Sequence, residues 1–475
     1  MSCTCGPHPC VNLTTAYLQY HKKHPDNDDT TISSKDEELT SCHEQIRQAC
    51  RSHGCFHVSI DLTNNNEDDD EIDSPMKCMA KPIEEVENEI ESLFSPTVLD
   101  TIDADLNGGL VKVPINNILL STTNVGSQCC MQEVATFRGR RAESGDELQS
   151  NPEPKLSWEY CRCRSARTEE CKNDVDMSTS MDSSHDIEND TPWNHLQNWT
   201  KALHSVAAVV INSIGISQQV VLNEKDCDCL HKSITSRQNS NNTNILQEKC
   251  NVDLLRCFRY DAISADDENA QQLGSSSHTD WGSLTVVWQD CKGGLQTYCH
   301  TCEKWSDVAA APERNGSGSK TIHLFVHVGD FLSLATHGEG MTHLPIWPSP
   351  RHRVICPTKK KQPPDDQSSS SDDEKSQCRR SLVYFAYPPP NISLAAAQKV
   401  VEPLVINDDD SCESTAVFQD YSLLHNQSQQ QQATADQLLL LNEGRSSTNF
   451  ETYEKMRTRP FGEVIQEKWD QVQRN

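Results

Sequence analysis

Gly274-Ser275-Ser276-Ser277-His278-Thr279-Asp280-Trp281-Gly282-Ser283-Leu284-Thr285 sets a histidine and a carboxylate two residues apart, directly ahead of an apolar run. On an extended strand, residues i and i+2 face the same way. His278 and Asp280 can then reach one metal ion together. The pair alone recurs by chance in a chain with 18 histidines, so its surroundings decide.

A second constellation lies downstream: Ser349-Pro350-Arg351-His352-Arg353-Val354, then Arg379-Arg380-Ser381-Leu382-Val383-Tyr384-Phe385. Two histidines and one carboxylate on one face of an ion leave the opposite face open, and imidazole with carboxylate suits Fe(II) better than a thiolate site would. Two histidines compete for the third place. His337 stands 57 residues beyond Asp280 and His352 stands 72 beyond; spacing alone leans to His337. Arg379 and Ser381 are again i and i+2. A guanidinium forks onto a carboxylate through two parallel hydrogen bonds, and a serine hydroxyl donates a third.

From about residue 252 the pattern changes to short strands broken by turns. Leu284–Trp288, Leu295–Cys299, His323–Val328, Phe331–Ala335, Arg353–Cys356 and Leu382–Ala386 are the candidates. Such a series predicts a sandwich or jelly-roll barrel. Upstream, Arg47 to Ile60 reads as a helix end, a Gly turn and a short strand. Glu84 to Leu93 carries Val86, Ile90 and Leu93 at helical spacing, and Trp193 to Ile216 repeats Trp199, Leu203, Val206, Val210 and Ile214 three or four apart. The run Glu451 to Val472 predicts a helix interrupted at Pro460-Phe461-Gly462.

The segments Leu273-Gly274, His278-Thr279-Asp280, Leu284-Thr285, Gly294-Leu295-Gln296, Val328-Gly329-Asp330-Phe331-Leu332, Ser349-Pro350-Arg351-His352-Arg353-Val354 and Arg379-Arg380-Ser381, taken in order, resemble the iron- and 2-oxoglutarate-dependent dioxygenases related to isopenicillin N synthase. The resemblance is strongest over about 252–390. It implies a double-stranded β-helix (jelly roll) with iron held by His278, Asp280 and His352. His352 is preferred over His337 because Ser-Pro-Arg-His-Arg-Val is the family's ligand motif. It also implies that Arg379 and Ser381, the family's Arg-x-Ser pair, hold the distal carboxylate of 2-oxoglutarate, with Tyr260 reaching the same group. Two departures stand out. His352 and Arg379 are 27 residues apart, more than the family usually has, and the excess is the loop 359–377. Closing a longer loop costs only logarithmically more. Phe258 occupies a position where many relatives carry Asn.

The resemblance implies oxidative decarboxylation of 2-oxoglutarate by O2 to succinate and CO2, coupled to hydroxylation, desaturation or cyclisation of a small organic molecule, with ascorbate as a candidate reductant. Two alternatives stay open: an Fe(II) oxidase of the isopenicillin N synthase type that uses no 2-oxoglutarate, and a non-catalytic binding protein on the same scaffold.

Bulk properties agree. Of 475 residues only 35% are hydrophobic, and Lys+Arg minus Asp+Glu, 42 − 70, is −28. Such a charge repels nucleic acid and anionic membranes at long range. No apolar run is long enough to span a bilayer, and Met1 to His8 has no apolar core of the kind a signal peptide needs. The 22 cysteines then read as reduced thiols in a cytoplasmic protein. Cys299-His300-Thr301-Cys302 has no paired partner set at zinc-site spacing. The expected organisation is mainly β with flanking helices. A disordered N-terminus spans 1–40. A helical or mixed region follows over 41–250, with an acidic disordered insert at 173–192. The jelly-roll core spans 251–400 with the loop insertion 359–377, and a C-terminal extension over 401–475 carries a Gln-rich loop and a terminal helix.

Overall fold

The computed structural model describes residues 8–21, 34–62, 78–79, 81–94, 155–163, 192–215, 252–263, 273–299, 303–310, 321–336, 347–359, 377–399, 401, 450–465 and 467. They form a sheet-rich structure with helices. The strands, in chain order, are β1 (Cys10–Asn12), β2 (Cys55–Asp61), β3 (Lys155–Cys163), β4 (Val252–Tyr260), β5 (Leu273–His278), β6 (Leu284–Gln289), β7 (Leu295–Cys299), β8 (Lys304–Asp307), β9 (Thr321–Val328), β10 (His352–Ile355) and β11 (Arg379–Ala386). The helices are α1 (Thr14–His21), α2 (Ser34–Ser52), α3 (Ile83–Leu93), α4 (Pro192–Ser213), α5 (Asp330–Ala335) and α6 (Phe450–Thr458). Seven strands join in the order β1-β2-β9-β6-β11-β4-β3, and four in the order β5-β10-β7-β8.

Strand alternation gives the larger sheet two unlike faces. In β9, Ile322, Leu324, Val326 and Val328 enter the main hydrophobic core, while Phe325 joins a separate cluster. In β6 and β11 the core-facing set is Leu284, Val286, Trp288, Leu382, Tyr384 and Ala386. α4 covers this face, packing across β4, β6 and β11 on one side and against α1, α2 and α3 on the other. Sandwiched in that way it is apolar nearly all round: every residue from Ala202 to Ile211 is buried. Each buried Val, Leu or Phe side chain contributes about 1.5–3 kcal/mol. Among the polar groups that the layer buries, His204 Nδ1 lies 2.7 Å from the Tyr384 hydroxyl.

The opposite face meets the smaller sheet. Cys55, Phe258, Tyr260, Val287 and Phe325 from the larger sheet cluster with Leu295 and Val354 from the smaller one. Val383 packs against the same cluster, and the candidate site lies among the polar residues of this inner face.

Several expectations change. Phe331–Ala335 is not a strand but the helix α5, with all six of its residues buried. Its first N–H groups bond to loop carbonyls, Asp330 N–H to Asp280 O at 2.7 Å and Phe331 N–H to Gly282 O at 3.1 Å, which supplies the partners a helix start needs. Within the stretch expected to be irregular over 1–40, β1 pairs in parallel with β2 and α1 follows; Leu13 and Tyr17 are fully buried. Residues 173–191 of the insert 173–192, residues 360–376 of the loop 359–377, the Gln-rich stretch 427–432 and Cys302 lie outside the described residues. α6 and the turn after it pack on the helix side of the larger sheet: Phe461 meets Phe331 and Tyr387 at ring separations of 5.2 and 5.8 Å. Among the described residues, no helix is long and apolar enough to cross a membrane.

Candidate metal centre and its neighbouring pocket

β5 and β10 are antiparallel neighbours, and His278 and His352 are paired directly across them. The two imidazoles stand 4.3 Å apart between ring centroids. Each directs Nδ1 at a backbone carbonyl two residues earlier, His278 to Ser276 O at 2.7 Å and His352 to Pro350 O at 3.1 Å. A carbonyl only accepts, so Nδ1 carries a proton in each ring and Nε2 is the atom left to meet a metal.

Both Nε2 atoms face the same oxygen. His278 Nε2 lies 3.6 Å and His352 Nε2 3.7 Å from Asp280 Oδ1, and the three ligand atoms lie within 4.8 Å of one another. Asp280 is buried, which raises its pKa, but His352, His327, His278 and the Thr285 hydroxyl outweigh this and hold it at about 2. His352 is pushed down to about 4 by burial and by His278. At neutral pH an ionised carboxylate and an uncharged imidazole thus converge. Acceptors gathered in this way repel one another unless a cation sits among them. The donor set, two imidazoles and a carboxylate, suits a first-row divalent metal.

Asp280 does not lie on the strand, as the i, i+2 argument assumed. β5 ends at His278, and Thr279 and Asp280 belong to the turn that follows. The turn is clamped from outside: Asp330 N–H bonds the Asp280 carbonyl, and Thr279 Oγ1 donates to Asp330 Oδ2 at 3.0 Å. Gly329 makes this possible, because a Cβ there would collide with the Gly282 carbonyl. On the carboxylate, Thr285 Oγ1 donates to Oδ2 at 2.5 Å, and His327 Nε2 stands 3.5 Å from the same oxygen. His327 is fully buried, and its pKa is pushed down to about 4 by burial and by His352.

Arg379, Ser381 and Tyr260 also come together on the inner face. Arg379 is buried at 1% exposure. Its Nε donates to Gly293 O at 2.5 Å, Nη1 to Ser381 Oγ at 3.1 Å and Nη2 to Gln289 Oε1 at 3.1 Å. The guanidinium lies 4.8 Å over the Tyr260 ring. Gly274 lets β5 approach that ring, since a Cβ would fall 2.5 Å from Tyr260 Cδ1. A guanidinium has five N–H donors; three are used here, which leaves two for a carboxylate. Phe258 stacks on Tyr260 at 5.8 Å. Arg380 serves the other face and pairs with Glu91 of α3 at 2.8 Å.

His337, the competing third histidine, lies outside the described residues, as do His300 and His343. His327, Thr285 and Gln289, which the structure places at this site, have no role assigned from the sequence. The signal available was alternation: His323, Phe325 and His327 share one side of β9, as Thr285, Val287 and Gln289 share one side of β6.

Residues 251–388 match the family model of the 2OG-Fe(II) oxygenase superfamily. A 2-oxoglutarate-dependent dioxygenase of Didymella fabae is 35% identical over 85 residues, 18% of this chain and 21% of that protein. The 2-oxoglutarate-dependent dioxygenase citB of Monascus ruber is 32% identical over 102 residues, 21% of this chain and 26% of that protein. A 1-aminocyclopropane-1-carboxylate oxidase of Dictyostelium mucoroides is 32% identical over 74 residues, 16% of this chain and 18% of that protein. The chain thus matches between 18% and 26% of the length of these relatives. Among solved structures, a full-length Neurospora crassa protein in complex with alpha-KG is similar at 16% sequence identity over 84% of this chain and 90% of that one, with a TM-score of 0.42.

Proposed function

We propose that this chain, whose residues 251–388 belong to the 2OG-Fe(II) oxygenase superfamily, is an Fe(II)- and 2-oxoglutarate-dependent dioxygenase that oxidises a small organic molecule. The observation that carries this reading is the convergence of His278 Nε2, His352 Nε2 and Asp280 Oδ1, with each Nδ1 turned to a backbone carbonyl. These three would hold Fe(II). Held from one side, the ion would supply activation of O2, coupled to decarboxylation of the oxo-acid to succinate and CO2.

The chain's own residues account for the rest. Arg379 offers its two remaining N–H groups to the distal carboxylate, and Ser381 and Tyr260 add hydroxyls beside it. Gln289 and the Gly293 carbonyl fix the guanidinium so that it does not turn away. Val287, Phe325 and Val354 wall the space between the sheets with apolar surface, which keeps water from the reacting groups and strengthens every ionic contact inside. The seven- and four-stranded sheets read as the two halves of a jelly roll. Residues 251–400 form the catalytic core, 41–250 the region that supports it and 401–475 the C-terminal extension. The substrate is a small molecule whose C–H bond is hydroxylated, desaturated or closed into a ring.

The test is anaerobic titration of the metal-free protein with Fe(II), then 2-oxoglutarate, followed by visible absorption. A weak metal-to-ligand charge-transfer band that needs both additions is the expected result. Succinate should then form on admitting O2. Iron binding without the band would overturn the oxo-acid assignment, and absence of iron binding would overturn the metal assignment.

A further inference from the structure

We infer that His327 is a positioning residue for the metal centre: together with the Thr285 hydroxyl it holds Oδ2 of Asp280, so that the carboxylate presents Oδ1 alone to the metal. The inference rests on the reading of His278, Asp280 and His352 as iron ligands.

The two oxygens of Asp280 have different surroundings. Oδ1 faces the two histidine Nε2 atoms at 3.6 and 3.7 Å. Oδ2 receives the Thr285 hydroxyl at 2.5 Å and stands 3.5 Å from His327 Nε2. Nε2 of His327 stands at ion-pair distance from this oxygen, where a proton on it would meet an acceptor. His327 is no fourth ligand: the set of ligand atoms within 4.8 Å of one another comprises His278, Asp280 and His352 and does not include it. It meets the carboxylate at Oδ2, whereas the two ligand histidines face Oδ1.

The fold explains why both donors reach one oxygen. Thr285 on β6 and His327 on β9 are paired directly across adjacent strands. The His327 ring is fixed between His352, at 4.6 Å, and Phe325, at 6.1 Å. At 1% exposure it meets no bulk water that would compete for Oδ2. Partners that orient a ligand in this way tune its affinity for the metal. Here they also decide its denticity. A carboxylate with one oxygen held ligates through the other and takes one position. A carboxylate with both oxygens free can chelate and take a second, which the oxo-acid or O2 needs.

The experiment compares His327→Leu, which removes the donor, with His327→Gln, whose amide N–H can reach Oδ2. Each is made in the full chain and titrated anaerobically with Fe(II), then with 2-oxoglutarate. His327→Leu is expected to weaken Fe(II) binding about 10–100-fold and to shift or diminish the charge-transfer band, and His327→Gln to recover most of both. His327→Met, closer in volume, takes the place of the leucine variant if that one does not fold. Wild-type affinity and band in the donor-free variant would overturn the inference, as would a glutamine variant no better than it. Asp280→Ala separates this from the underlying reading. If Asp280→Ala binds Fe(II) as the wild type does, the metal assignment itself fails. If it loses the metal while His327→Leu does not, only the positioning role fails.

Discussion

The metal centre and the arginine pocket lie on the same inner face but are opposite in what they lack. At the metal centre the Nε2 atoms of two histidines converge on an ionised carboxylate. At the arginine pocket a buried guanidinium makes three hydrogen bonds to Gly293, Ser381 and Gln289 and keeps two N–H groups over. One region calls for a cation; the other keeps N–H groups for an anion besides the buried Asp290 carboxylate that neighbours Arg379. A protein interior rarely leaves either need unmet. Two opposite deficits on one face point to a ligand that carries charge to both, as a dicarboxylate chelating a bound metal does. The comparison teaches more than either site alone, because a buried arginine or a histidine cluster each has ordinary structural uses.

The largest effect should come from removing the centre of the acceptor set. Asp280→Ala is expected to abolish detectable Fe(II) binding and turnover, while the arginine pocket stays intact. Calorimetric titration with Fe(II) under argon measures this directly. Retained binding would mean that the three acceptors are not what holds the metal.

Next in size is an asymmetry in acid stability. His327 and His352 sit at about 4 against an ordinary 6.5, and Asp280 at about 2 against 3.8. The unfolded chain takes up protons on those histidines as pH falls through 6.5, whereas the folded metal-free chain does so only near 4. Their contribution is therefore present above pH 6.5 and lost on the way down to 4, and Asp280 adds a loss of the same sign between 3.8 and 2. His8, also near 4 through burial and the neighbouring His57 and His53, pushes in the same direction. The combined effect is on the order of a few kcal/mol. Urea midpoints of the metal-free protein at pH 7 and pH 5 should show it, and His352→Gln should flatten the slope where Arg379→Gln does not. An equal response from the two variants would remove the distinction between the regions.

Much of this was legible in the sequence, and what was not has a physical cause. His278, Asp280, His352, Arg379, Ser381 and Tyr260 come together because short local spacings survive folding. Even so, Asp280 arrives from a turn held by Asp330 and Thr285 rather than from the strand the spacing suggested. His327, Thr285 and Gln289 were not legible, since strand alternation says that they share a side but not which side α4 covers. That is fixed only when the apolar partners Val326, Val286 and Trp288 pack against the helices. Phe331–Ala335 misled because five apolar or small residues are too few to show a period of 3.6 rather than 2. Residues 10–21 looked irregular because their order comes from Leu13 and Tyr17 docking into a distant core.

A smaller change should confine itself to the anion side. Arg379→Gln removes the fork but keeps an amide in reach of Ser381. Losing two charge-assisted hydrogen bonds at about 1.5 kcal/mol each predicts roughly 100-fold weaker 2-oxoglutarate binding. Fe(II) affinity should hardly change. Steady-state rates against oxo-acid concentration, with iron saturating, give the number. A parallel loss of iron would show that the two regions are one site energetically and not two.

The finest test sets one hydroxyl against another. Ser381 accepts from Arg379 Nη1 at 3.1 Å and keeps its own proton to donate; Thr285 gives its proton to Asp280 Oδ2 at 2.5 Å. Each touches one region only. Ser381→Ala removes one hydrogen bond of about 1 kcal/mol and should weaken 2-oxoglutarate about fivefold without altering metal affinity. Thr285→Val, nearly isosteric, removes a donor to a charged acceptor and should weaken Fe(II) by a somewhat larger factor. Its effect on the oxo-acid should appear only through the metal, and so vanish when iron is saturating. If the two variants shift both ligands alike, the separation of a cation-seeking region from an anion-seeking one is wrong. If each shifts its own ligand alone, the inner face of the sheet carries two independent charge deficits that one bound molecule satisfies together.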